Sequence, residues 1–252
     1  MDAITPPFWI LSLAVALGAG VVKGAVGFAV PLIMISGLST FLEPRLALAG
    51  ILLSVLATNV WQVTRYGAVA AREAVQRHWR FLTVGLVMVA LTAQTVSAIP
   101  ARVYYLLLGG PIVGLSLLQL SGLRLRIPPR WHRAADWVGG LISGTLGGLA
   151  GIWGPTTALY LLAIDTPKRR QMVVQGVIYS AASVVLVAAH LRSGILDRQT
   201  VWFSVALLPA ALIGMAVGFR IQDRLDQDQF RRLTLLVLVL AGANLIRKGL
   251  IG

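Results

Sequence analysis

The stretch Gly18–Pro31, GAGVVKGAVGFAVP, lies inside an apolar run, yet it holds four glycines and a lysine and closes on proline. Glycine and proline are the least favourable residues in a helix interior, so a membrane segment built this way is predicted to be interrupted. The same frame returns once. Gly20, Gly24, Gly27 and Pro31 have counterparts 124 residues on, at Gly144, Gly148, Gly151 and Pro155. Either copy alone also reads as a small-xxx-small helix-packing pair. Four matches at one ungapped offset instead point to an internal duplication with a broken helix at corresponding places in two halves, as in transporters.

The solvent follows from the rest of the chain. Its 252 residues are 57% hydrophobic and 12% charged, with long apolar runs from end to end, and the mean hydropathy is +0.81. That composition fits an all-α polytopic membrane protein, not a barrel of short alternating segments. No cysteine is present, so disulfides, thiolate nucleophiles and cysteine-held metals are excluded. The start has no basic n-region or cleavage site and is expected to belong to the mature chain. A net charge of +13 does not indicate nucleic acid here. The basic residues fall between apolar runs, where they set orientation and attract anionic lipid headgroups.

Apolar segments are expected near 8–22, 24–40, 45–64, 79–97 and 102–120, then near 134–147, 149–164, 170–190, 201–219 and 232–246. The organisation is a first transmembrane repeat over 1–121, a basic linker over 122–133 and a second repeat over 134–252. Residues 8–40 are too long for one crossing and cramped for two, since a span takes about 20 residues. A hairpin dipping toward the midplane is predicted at the start of each half. Loops 65–78, 121–133, 165–169 and 220–231 then share one face and, with Arg80, Arg170 and Arg232 at their edges, hold 15 of the 22 basic residues, against 6 on the other. If each stretch crossed once, the split would fall to 12 against 9. The positive-inside rule favours the hairpins, with both termini outside. An odd count per half makes the repeats inverted.

At a hairpin tip, free N–H groups at a helix start form an anion site. Gly24–Val30 and Gly148–Gly154 are predicted as extended or turned backbone, with limbs starting near Pro31 and Pro155, which suit a first helical turn. Two such tips would converge on one cavity. Lys23 is the one cation well inside the first stretch. It either complements a bound anion or snorkels to the headgroups. Thr156 and Thr157 supply hydroxyls, and Trp153 either walls the cavity or packs against lipid. Gln171, Gln175, Tyr179 and Ser183 share a helical face, as do Ser54, Thr58 and Gln62 with Asn59 beside them. Interhelical hydrogen bonding explains these stripes equally well; Gln175 and Asn59 are the best cavity candidates, with Tyr179 added. The substrate-binding set is thus Lys23, Gly24, Gly27, Pro31, Asn59, Gly148, Gly151, Trp153, Pro155, Thr156, Thr157, Gln175 and Tyr179.

The nine acidic residues all fall in loops or at segment ends, so no buried proton-carrying carboxylate is expected. His78 and His132 are read as solvated and His190 as interfacial. No metal spacing, serine elbow or phosphate-binding loop appears. An enzyme is therefore not expected, nor a cofactor or metal.

The paired segments GAGVVKGAVGFAVP and GLISGTLGGLAGIWGP, with the turns EPRLA and TPKRRQ after them, resemble the TauE/SafE family, the sulfite exporter or TSUP group. The first copy reads VGFAV where many relatives have a glycine triplet. The resemblance implies export or exchange of a small anion such as sulfite, a sulfonate or a related organic anion, held near the midplane at the two tips. An anion channel and a non-transporting membrane subunit or assembly factor are the alternatives. Expected partners are the anionic substrate and membrane lipids, with no nucleic acid and with homo-oligomerisation left open. The expected location is a bacterial inner membrane.

Overall fold

The computed structural model describes residues 6–92, 101–123, 125–150, 153–192 and 194–251. Ten α-helices occur among them: α1 (Pro6–Val26), α2 (Val30–Leu38), α3 (Pro44–Arg77), α4 (Trp79–Thr92), α5 (Ala101–Leu120), α6 (His132–Ala150), α7 (Gly154–Ala163), α8 (Lys168–Arg192), α9 (Thr200–Arg224) and α10 (Gln227–Ile251). No strand is present among the described residues. Five helices, α1, α3, α8, α9 and α10, are long and apolar enough to cross a bilayer. The protein is an all-α polytopic membrane protein. Asp2, Arg124, Gly151 and the end of the segment expected over 79–97 lie outside the described residues.

The Gly-rich stretch does break, but later than expected. Gly24–Val26 stay helical, and the interruption covers residues 27–29, with Gly27 at φ 90° and Ala29 at φ 86°. Pro31 sits in the first turn of α2, where its missing N–H costs nothing. In the second copy, Gly148 and Ala150 are likewise helical, and α7 starts at Gly154, one residue before Pro155. The limbs are unequal. At 1.5 Å per residue, α1 is about 31 Å long and α2 about 14 Å. The loop expected over 65–78 is also mostly helix, because α3 continues to Arg77 past a non-helical Gly67 at φ 83°.

Two compact units share the chain, each discontinuous in sequence: Met1–Ala71 with Gly176–Leu225, and Arg72–Gln175 with Asp226–Gly252. In the first, α2 folds back along α1, setting Gly37 against Val15. The long contact is between α1 and α9. There a Cβ on Gly20 would overlap the carbonyl of Ala211, and one on Gly24 that of Met215. Gly214 and Gly218 face the carbonyls of Leu17 and Val21 from the other side. Small residues let these backbones touch, which is how helices associate where lipid removes the hydrophobic incentive. Ala16, Met34, Ile51, Phe203 and Leu207 lie in the core beside this seam.

In the second unit α6 packs on α4 and α10 on α5. Gly140 and Gly144 lie against the backbones of Phe81 and Gly85, and Gly109 against that of Gly242. Helix α7 folds back along α6, with Tyr160 over Gly139 and Trp153 over Gly147. The helix starts follow the sequence offset. Val30 and Gly154 open α2 and α7, Pro44 and Lys168 open α3 and α8, and each pair is 124 residues apart. The packing also repeats in kind, since the first helix of each half lies on the fourth of the other.

Candidate functional site

Helix α1 carries Lys23 into its last turn, where the C-terminal dipole favours a cation. Its side chain turns inward and is 2% exposed. Snorkelling is therefore not its role. The ammonium donates to Asn59 Oδ1 at 2.5 Å and to the carbonyl of Gly27 at 3.4 Å. It also stands 5.5 Å from the centroid of the Tyr179 ring. Asn59 in turn donates its amide N–H to the Tyr179 carbonyl at 3.0 Å. Four residues of the expected set, Lys23, Gly27, Asn59 and Tyr179, thus meet around one buried cation in the first unit. Gly27 is needed for its positive φ, which only glycine adopts at little cost, and which turns its carbonyl back to the lysine.

The charge of this cluster is uncompensated. Among the described residues Lys23 has no carboxylate partner. An ammonium has three N–H donors and no acceptor, and two are taken. One donor is left, and α2 begins three residues past Gly27 with no side-chain cap. Buried charges are ordinarily paired or hydrogen-bonded. What suits this place is an acceptor carrying negative charge.

Gly24 and Pro31 flank the cluster in other roles. Gly24 is a packing residue against α9, and Pro31 lies within the first turn of α2.

The second hairpin gathers hydroxyls instead of a cation. Ser143 on α6 lies 3.0 Å from Thr156 Oγ1 and 2.8 Å from Thr157 Oγ1. Thr156 donates to the Trp153 carbonyl at 3.0 Å, just before α7. Ser143 was not among the expected residues, although it lies within the quoted GLISG. Trp153 packs its ring on Gly147, so it closes the hairpin. Pro155 is buried in the first turn of α7. Thr156 and Tyr160 also edge a cleft of about 470 Å³ whose other walls, such as Ile112, Leu115 and Ile142, are apolar.

On α8, Gln171, Gln175, Tyr179 and Ser183 are all buried. The amide atoms of Gln175 and Gln171 have no hydrogen-bond partner among the described residues. An unsatisfied buried amide costs about 1–3 kcal/mol, which favours a polar guest beside it. On α3, Thr58 spends its hydroxyl on its own helix at Ser54.

Three readings of the loops are corrected. His78 is not solvated but 2% exposed, and Asp136 is a buried carboxylate at 6%. They meet through Tyr160, whose hydroxyl lies 3.1 Å from His78 Nδ1 and donates to Asp136. Arg231, counted among loop charges, is also buried, donating to Gln119 and to the Leu162 carbonyl. His132 is half-buried, with Nε2 3.0 Å from the Ile127 carbonyl. No group of His, Asp and Glu able to hold a metal occurs among the described residues.

A family model described as "Sulfite exporter TauE/SafE" matches residues 12–245. No curated protein and no solved structure matches the chain.

Proposed function

We propose that this chain, which belongs to the TauE/SafE family, exports or exchanges a small anion as a secondary transporter. The family is one of membrane transporters. Sulfite, a sulfonate or a related small oxyanion suits the site, since each offers several acceptor oxygens to one ammonium.

The observation that carries this reading is the buried Lys23, held by Asn59 and the Gly27 carbonyl with no carboxylate partner among the described residues. An anion would complete its coordination with a charge-assisted hydrogen bond. The start of α2 adds free N–H groups and the positive end of a helix dipole. Tyr179 on α8 adds its ring beside the ammonium. The matched helix starts and the repeated packing support two repeats, which we take to be inverted. The 15-to-6 distribution of basic residues supports external termini in a bacterial inner membrane. An inside-negative potential then favours exit of a monovalent anion by about 2.3 kcal/mol per 100 mV.

The test is flux in proteoliposomes. Labelled sulfite should leave loaded vesicles, and external unlabelled sulfite should accelerate its exit. Exit without acceleration would mean a channel. No movement of sulfite, sulfonates or short carboxylates would leave a non-transporting subunit and end the proposal.

A further inference from the structure

The second unit holds a buried polar trio that anion binding does not explain. His78 sits at the junction of α3 and α4, fixed by backbone bonds from its N–H to Ala74 and from Leu82 to its carbonyl. Asp136 comes from α6 and Tyr160 from α7, whose ring stacks on Phe81 at 4.6 Å. All three side chains are nearly sealed from solvent.

Counting protons assigns their roles. The Tyr160 hydroxyl has one hydrogen, and the ionised Asp136, which has none, takes it. The contact between His78 Nδ1 and Tyr160 Oη, at 3.1 Å, then needs its hydrogen from the imidazole. Neutral His78 is thus the Nδ1–H tautomer, and the lone pair is on Nε2. That atom is buried and without a partner among the described residues. The charged groups at the trio are Asp136 from α6, 3.8 Å from Nδ1, with Arg80 from α4 acting on Asp136 and Arg77 from the end of α3 acting on Tyr160.

We propose that His78, positioned by Tyr160 and Asp136, is a proton-binding site through which transport is coupled to the proton gradient. The proton from solvent adds to Nε2, no other bond breaks, and the trio gains one positive charge. Loss of that proton on the other stroke restores the neutral imidazole. Coupling rests on the transport reading above, whereas the proton site does not. It provides what the acid-poor apolar segments lack: a buried imidazole whose Nε2 has no partner among the described residues.

The test uses the full chain in micelles with isotope-labelled histidine. The chain has three histidines, so His78→Gln identifies the signal. The His78 resonance should show the Nδ1–H tautomer at high pH and titrate on acidification. Asp136→Asn should lower its midpoint by about one unit or more, tenfold in proton affinity. Tyr160→Phe should abolish the tautomer preference. A signal that never titrates, or a midpoint indifferent to Asp136→Asn, overturns the proton site. For coupling, sulfite flux is driven by an imposed pH gradient in wild type and in His78→Gln. Sulfite changes charge with pH itself, so the variant at matched pH is the reference. Wild-type flux should follow the gradient and the variant's should not. Equal responses overturn coupling while leaving transport intact. A wild type that moves no sulfite sinks the transport reading and coupling with it, and the titration still decides the proton site.

Discussion

Substituting Gly20 by alanine tests whether the α1–α9 seam is as tight as the structure draws it. A Cβ there would overlap the Ala211 carbonyl oxygen and lie 2.9 Å from the Met215 nitrogen and 3.0 Å from the Ala211 carbonyl carbon. All three are backbone atoms, so no rotamer change relieves the clash. Ordinary carbon contacts lie at about 3.5–4.0 Å, so the helices must part by roughly 1 Å. Overpacking of this kind costs about 1–3 kcal/mol, and separation also loosens Gly24, Gly214 and Gly218 on the same seam. Gly18 in the same helix is the control. A Cβ there meets nothing within 4 Å, so Gly18→Ala should gain about 0.5–1 kcal/mol in helix propensity. Gly20→Ala shares that propensity gain, so the two variants should differ by roughly the overpacking cost, about 1–3 kcal/mol, in reversible unfolding with sodium dodecyl sulfate in mixed micelles. Equal stability, or a more stable Gly20→Ala, would refute the close seam.

Ala29 holds φ 86° without being glycine, a conformation costing about 1–2 kcal/mol. Ala29→Gly should therefore raise the melting temperature, whereas Gly27→Ala should lower it. Asp197 accepts backbone N–H groups from Thr200 and Gln199 at the start of α9, and Arg45 pairs with it. The Thr200 and Gln199 amides, with Arg45 adding to them, hold its carboxyl below the usual carboxylate range. A depressed folded-state value gives stability that is present above the unfolded-state pKa and lost as pH falls through the folded one. Hydrogen exchange at the start of α9 should thus accelerate in acid below the ordinary aspartate range, and Asp197→Asn should remove that pH dependence. For topology, a single cysteine at Gln76 should react with a membrane-impermeant reagent only from the cytoplasmic side; labelling from outside would reverse the orientation.

Breaks, unlike boundaries, were legible in the amino-acid order. Gly27 and Pro31 mark an interruption because local backbone preference is strong there. Gly24 looks just as disruptive in sequence, yet its helix continues, since the backbone of α9 closes over it and tertiary packing overrides propensity. Lys23 and Asn59 stood out as polar residues on apolar ground, and the structure brings them together across 36 residues. His78 and Asp136 did not stand out, because arginines surround both in sequence and make them look solvated. Only the fold-back of α7, which carries Tyr160 to both, creates their site. Ser143 is illegible in sequence for a similar reason: its hydroxyl gains meaning only when α7 returns along α6.

If Lys23 binds the anion, the protein's affinity for sulfite depends on the charge of that side chain. Lys23→Met keeps the side chain's bulk while removing its charge, and Lys23→Ala removes both. Arg45→Ala removes the same charge from an exposed pair with Asp197. Calorimetric titration of sulfite into each folded variant, with melting temperature recorded beside it, separates ligand loss from unfolding. A charge-assisted hydrogen bond contributes about 1.5–3 kcal/mol, so both Lys23 variants should bind about 10- to 150-fold more weakly. Arg45→Ala should bind as wild type does. Wild-type affinity in a folded Lys23→Met protein would contradict the assignment of this lysine as the anion ligand.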